Sequence, residues 1–134
     1  MKLYLFLTKS EKENYERGAF DKIKCSPDAE MKSRGYDQNS IYMYNDLREL
    51  IREHERFSTE GEPLYLCSFA VPAKVLKENK DKVVVWERGY EGYTVTEFGI
   101  SHNDLKPEFL TKSWPIKYHT SEITRFTTIE KVKA

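Results

Sequence analysis

The sequence is poor in the features that most directly betray a function. Cysteine appears twice, as Cys25 and Cys67, too few for a disulfide scaffold and too far apart for a Cys-x-x-Cys pair. Reduced thiols in a cytoplasmic protein are the expectation. The three histidines, His54, His102 and His119, are widely separated and form no His-x-x-x-His pair, so no metal is expected. A P-loop, a Gly-x-Gly-x-x-Gly and a Gly-x-Ser-x-Gly are all missing, which removes the commonest signatures of phosphate cradles and serine hydrolases. An excess of one charge is missing too. The 22 basic residues balance 22 acidic ones, so no overall field draws the chain to nucleic acid or to an anionic membrane. A local basic groove is still compatible with that balance. The apolar run at Met1 to Lys9 is too short for a signal peptide, and nothing approaches a membrane-spanning length.

What is present is a folded-domain composition. At 134 residues, with 39% hydrophobic and 13% aromatic content, the chain is expected to form one domain, residues 1–134, with its own core. The most legible stretch is Gly35 to Pro72, which reads as strand, helix, strand. Ser40 to Tyr44 is rich in β-formers. Asp46 to Phe57 then takes helical period, with Leu47, Leu50, Ile51, His54 and Phe57 on one stripe. Asn45 or Asp46 is the expected cap, and Asp46 with Glu49 nearly matches a capping box. The charged residues Glu49, Arg52, Glu53 and Arg56 fall on the opposite face. Leu64 to Val71 is almost continuously apolar, as a strand covered on both faces would be.

Around this unit, Leu3 to Leu7 reads as a buried strand, and Thr8 or Ser10 is expected to cap a helix over Ser10 to Arg17 that Gly18 stops. Ala19 to Cys25 is a weak strand expectation, and Ser26-Pro27-Asp28 a helix start. Pro72 opens a single helical turn. Val83 to Trp86 and Tyr93 to Ile100 are strands joined across Glu87 to Gly92. Asp104 to Leu110 suggests a short helix bent at Pro107. Trp114, Ile116 and Tyr118 alternate as in a half-buried strand, and the tail from Ser121 fits helix and strand equally. Short strands interleaved with short helices give an α+β domain with a mixed or mostly antiparallel sheet, in which Leu3–Leu7, Ser40–Tyr44 and Leu64–Val71 share one sheet under the Asp46–Phe57 helix.

The residues with most chemical promise are aromatic. Tyr36, Tyr42, Tyr44, Tyr65, Tyr90, Tyr93 and Trp86 lie in or beside the expected sheet, and tyrosines on a sheet face can stack a planar ring and donate a hydroxyl. Packing of the sheet itself is the simpler reading. Arg34 and Arg88, in loops near these tyrosines, can receive a phosphate. Glu97 shares a strand face with Tyr93 and Val95, where a carboxylate is either paired or functional; an edge-strand acid facing water fits the same pattern. Tyr42, Tyr44, Arg34 and Arg88 are therefore the candidate binding residues and Glu97 the candidate catalytic one. Cys67, inside the most apolar strand, looks inert.

In order of elements the chain resembles the ADP-ribosyltransferase-like fold. The resemblance is carried by Leu3-Tyr4, the turn Thr8-Lys9-Ser10, Gly18-Ala19-Phe20, Gly35, Ile41-Tyr42 leading into an amphipathic helix, Leu64 to Val71 with Pro72, and a late strand ending in Glu97. It implies that NAD or another adenine nucleotide is the ligand, with Tyr42 or Tyr44 stacking its ring and Glu97 polarising the ribose. The family's first strand carries a His or Arg that holds the dinucleotide, whereas here Tyr4, Leu5, Phe6 and Leu7 occupy the strand. A degenerate member that binds without catalysis fits the same pieces. So does a small non-enzymatic protein, of the kind phages and mobile elements carry, that engages and inhibits a partner protein.

Overall fold

Alternation and capping decide most of the local structure. A computed structural model describes residues 1–23, 29–56, 64–88 and 92–116, without the side chains of 54–56 and 88. Strand β1 (Lys2–Thr8) runs into helix α1 (Lys9–Glu16) through a full capping box. The Thr8 amide donates to Glu11 Oε1 at 2.9 Å, and the Glu11 amide donates to Thr8 Oγ1 at 3.2 Å. Gly18, at φ +78°, ends the helix in the left-handed conformation that favours glycine. The weak strand expected from Ala19 is instead a 3₁₀ turn over Phe20–Lys22, which packs the Phe20 ring 4.9 Å from that of Tyr15. Residues 24–28, including Cys25 and the expected Ser26-Pro27-Asp28 start, lie outside the described residues.

Helix α2 (Ala29–Ser33) precedes β2 (Ser40–Met43) and α3 (Leu47–Arg56). Asp46 is the cap of α3, its Oδ1 accepting from the Arg48 amide at 2.8 Å. The capping box with Glu49 does not form. Glu49 Oε1 instead accepts the Thr96 amide at 3.1 Å, and Glu53, buried, accepts the Tyr93 hydroxyl at 2.9 Å. Two acids of the charged face thus tie the helix to a later strand. Strand β3 (Leu64–Ala70), α4 (Ala73–Glu78), β4 (Val83–Arg88), β5 (Tyr93–Ser101) and β6 (Leu110–Ile116) complete the order. The short helix expected at Asp104 to Leu110 is replaced by two 3₁₀ turns, His102–Asp104 and Pro107–Phe109. Residues beyond 116, with Tyr118 and the tail, are not among those described.

The fold is α+β, with two antiparallel three-stranded sheets ordered β1-β3-β6 and β2-β5-β4. The three segments expected in one sheet are therefore divided, β2 joining the second. One bridge links the two sheets: Tyr4 N donates to Tyr44 O at 2.7 Å and Tyr44 N to Tyr4 O at 2.9 Å. Strand alternation sends Leu3, Leu7, Ile41, Met43, Cys67 and Phe69 into one apolar cluster, against Tyr15 of α1. Tyr4, Tyr44, Leu64, Leu66 and Val95 go to another, covered by Leu47, Leu50 and Ile51 of α3. Central β3 is buried on both faces, as its apolar run requires. No helix among the described residues is long and apolar enough to cross a membrane.

Candidate functional site

Among the described residues one cleft opens at the seam between the sheets, and a larger, more open one lies beside Glu16, Pro107 and the start of β6. The Tyr4–Tyr44 bridge is antiparallel, so continuing its register would set Phe6 against Tyr42. Beyond the bridge the strands part. Leu5, Phe6 and Leu7 of β1 line one side of a cleft of about 190 Å³, and Ile41, Tyr42 and Glu97 the other. Glu11, Ile23, Met31 and Tyr36 complete the described lining.

Strand alternation in β5 places Glu97 on the face of Val95, inside the protein, with 9% of its surface exposed. Its Oε2 accepts hydrogen bonds from the Tyr36 hydroxyl and, at 3.2 Å, from Trp86 Nε1. The indole also donates to the Tyr36 oxygen at 2.9 Å, closing a three-membered polar network. Burial pushes the Glu97 carboxyl up from 4.5 to about 7, because the charged form loses water. The two donors oppose that shift, since both favour the carboxylate.

Tyr42 is fixed from both ends. Its ring meets that of Tyr36 edge-on at 4.8 Å, and its oxygen accepts the Asp37 amide at 2.8 Å. It also lies across Gly99, its register partner in β5. A Cβ at Gly99 would stand 2.5 Å from the Tyr42 ring and 2.7 Å from the Lys82 carbonyl, so the ring sits where glycine makes room. Lys82 in turn pairs with Asp37 at 2.9 Å.

Of the five residues singled out in the sequence, the structure brings Tyr42 and Glu97 to one cleft. Arg34 is close by: its guanidinium lies 5.2 Å over the Trp86 ring and pairs with Glu30 at 2.7 Å. It stands one ring away from the carboxyl. Tyr44 is in the α3 cluster, at the bridge where the seam is closed, and does not line the cleft. Arg88 ends β4, its backbone paired with Tyr93, and its side chain is outside the described set. Tyr36 and Trp86 belong to the aromatic set of chemical promise but not to the five candidate site residues, and sequence reasoning gave Phe6 and Glu11 no role in the site. Trp86 was legible in part, since it alternates with buried Val84 toward the face that carries Glu97.

Described groups of three or more His, Cys, Asp or Glu side chains able to hold a metal ion are absent. Cys67 is buried, and its thiol is pushed up to about 12 by desolvation, which makes it a poor nucleophile. The site is therefore a small aromatic cleft with a buried, proton-holding carboxyl. Comparison with family models, with curated proteins and with solved structures finds no match to this chain.

Proposed function

We propose that this protein binds NAD or a related adenine nucleotide by taking one of its rings into the cleft between the two sheets. The observation that supports this most is the joint presence of Tyr42 and Glu97 at the seam, each held by further contacts. An edge-fixed tyrosine offers a face to a planar ring, and a buried carboxyl offers an orienting acceptor. Size limits what enters. A cleft of about 190 Å³ is smaller than the 300–1,000 Å³ of whole-ligand pockets. It accommodates one ring, while the phosphates lie outside, toward Arg34.

The ADP-ribosyltransferase-like resemblance gives the same ligand class from the order of elements. Transfer chemistry would assign Glu97 to the positive charge that develops on a ribose during bond cleavage. With Tyr4, Leu5, Phe6 and Leu7 on β1 in place of a basic residue, binding is the better supported half of the proposal. Calorimetric titration with NAD, AMP and ADP-ribose tests it. Saturable binding that Tyr42→Ala weakens about tenfold, and that Tyr44→Ala leaves in place once the variant is shown folded, is the expected result. Absence of heat across the set refutes it.

A second reading, a module that binds a protein partner, has its own observation. Strand β4 is the outer strand of its sheet among the described residues, and it exposes Val83 (36%) and Val85 (60%). An apolar edge of this kind can add a partner's strand. Val85→Lys separates the readings: it should abolish capture of a protein partner and leave nucleotide binding unchanged.

A further inference from the structure

The chemistry of the cleft selects charge as well as shape. Its described lining contains two carboxylates, Glu97 and Glu11, and the rings of Phe6, Tyr36 and Tyr42. No lysine or arginine is among the described residues that line it. Aromatic faces present the negative side of their quadrupole, and together with an acid they attract cations. An anion would meet Glu11 and, once Glu97 is ionised, a second like charge in a partly desolvated space. Glu11 is already engaged at the start of α1, where its Oε1 accepts the Thr8 amide. Glu97 is the acid that remains for a ligand.

Resting on the reading that this cleft takes a ligand ring, we propose that the group it accepts is a monovalent organic cation, and that this cation and a proton compete for the Glu97 carboxyl. Both of the carboxyl's donors, Tyr36 from the segment before β2 and Trp86 from β4, fall on Oε2. No donor among the described residues is placed on Oε1. The other titratable groups among the described lining are Glu11 of α1, Tyr36 before β2 and Tyr42 of β2, and Arg34 lies over the Trp86 ring, paired with Glu30. None of the lining groups supplies a counter-charge. In the empty cleft a proton is the cheapest neutraliser, and burial raises the carboxyl's hold on it. An entering cation makes the same neutralisation by Coulomb attraction and releases the proton.

The sign of the linkage follows. Cation binding favours the charged form, so affinity rises with pH until Glu97 is ionised in the free protein and is flat above that. With the free carboxyl titrating at about 7, affinity near pH 6 should be about tenfold below its plateau.

The test uses three rings of one shape and different charge: the 1-methylnicotinamide cation, neutral nicotinamide and the nicotinate anion. Each is titrated calorimetrically into the intact protein at about pH 6 and about pH 8.5, alongside NAD. The cation should bind about tenfold or more tighter than nicotinamide at the higher pH, with nicotinate the weakest. Its affinity should fall about tenfold at the lower pH, while that of nicotinamide stays constant. Glu97→Gln, near-isosteric, should erase both the charge preference and the pH dependence. The comparison among ligands on the unaltered protein stands even if that variant does not fold. Equal or tighter binding of nicotinamide or nicotinate, or pH-independent binding of the cation, overturns the inference. If NAD binds but none of the three rings does, the charge selection is wrong and the nucleotide cleft survives. If nothing binds, both fall.

Discussion

Replacing Glu97 by Gln should stabilise the folded protein at alkaline pH and have little effect at acid pH. Glu97 is buried on β5, and its carboxyl is raised from 4.5 in the unfolded chain to about 7 in the fold. The native state therefore binds the proton more tightly than the unfolded state. Stability from this group is fully present below about pH 4.5, declines as pH rises through about 7, and is constant above. A shift of that size corresponds to roughly 3 kcal/mol lost between those limits, at 1.36 kcal/mol per pH unit. The Tyr36 hydroxyl and the Trp86 indole favour the charged form and act against that loss. Glutamine keeps an oxygen for both donors and carries no charge. Urea unfolding of both proteins at about pH 5 and about pH 8.5 isolates the effect, because contributions from other titrating groups cancel in the difference. The variant should match the wild type to within about 1 kcal/mol at the lower pH and exceed it by about 1–3 kcal/mol at the higher. A difference independent of pH, or a less stable variant at the higher pH, would refute the assignment of a buried, proton-holding carboxyl.

Two further outcomes follow from the packing around the site. Gly99→Ala places a Cβ 2.5 Å from the Tyr42 ring and 2.7 Å from the Lys82 carbonyl. Denaturant titration should show a loss of about 1–3 kcal/mol, whereas a neutral result would mean that Tyr42 does not lie across β5. Cys67 is buried with its thiol pushed up to about 12, so a thiol reagent should label it about a hundredfold more slowly in the native protein than in denaturant. Equal rates, read by mass spectrometry of the Cys67 peptide, would contradict its place in the core.

How much was legible followed from the range of the interactions. The stripe Leu47, Leu50, Ile51 is local and gave α3 correctly, as the apolar run of β3 gave a strand buried on both faces. Alternation along β5 was enough to put Glu97 on one face with Val95, but that this face is buried is decided by the packing. What could not be read was decided by partners far away in sequence. Glu49 and Glu53 belong to the polar side of α3 by periodicity, yet the Thr96 amide and the Tyr93 hydroxyl draw them inward. Tyr42 and Tyr44 share a strand face, so periodicity cannot distinguish them. The seam does: at Tyr44 the strand is bridged to β1, and at Tyr42 it has parted from it. Division of the strands between two sheets is likewise a matter of register between β1 and β2, which neither segment encodes alone.

The central claim is that a ligand ring enters the seam beside Glu97, and the Trp86 indole is its closest reporter. The chain has two tryptophans, Trp86 and Trp114. Trp86 donates directly to Glu97, while Trp114, on the outer strand β6 of the other sheet, packs against the α3 cluster and does not line the cleft. Their indole N–H resonances in a nitrogen-15 correlation spectrum are assigned by Trp114→Phe. Titration with NAD should shift the Trp86 resonance in a saturable manner, with the amides of Leu5 to Leu7 and of Ile41 and Tyr42, and leave Trp114 in place. A Trp86 signal unmoved while shifts gather elsewhere on the protein, or no shifts at all, would contradict it.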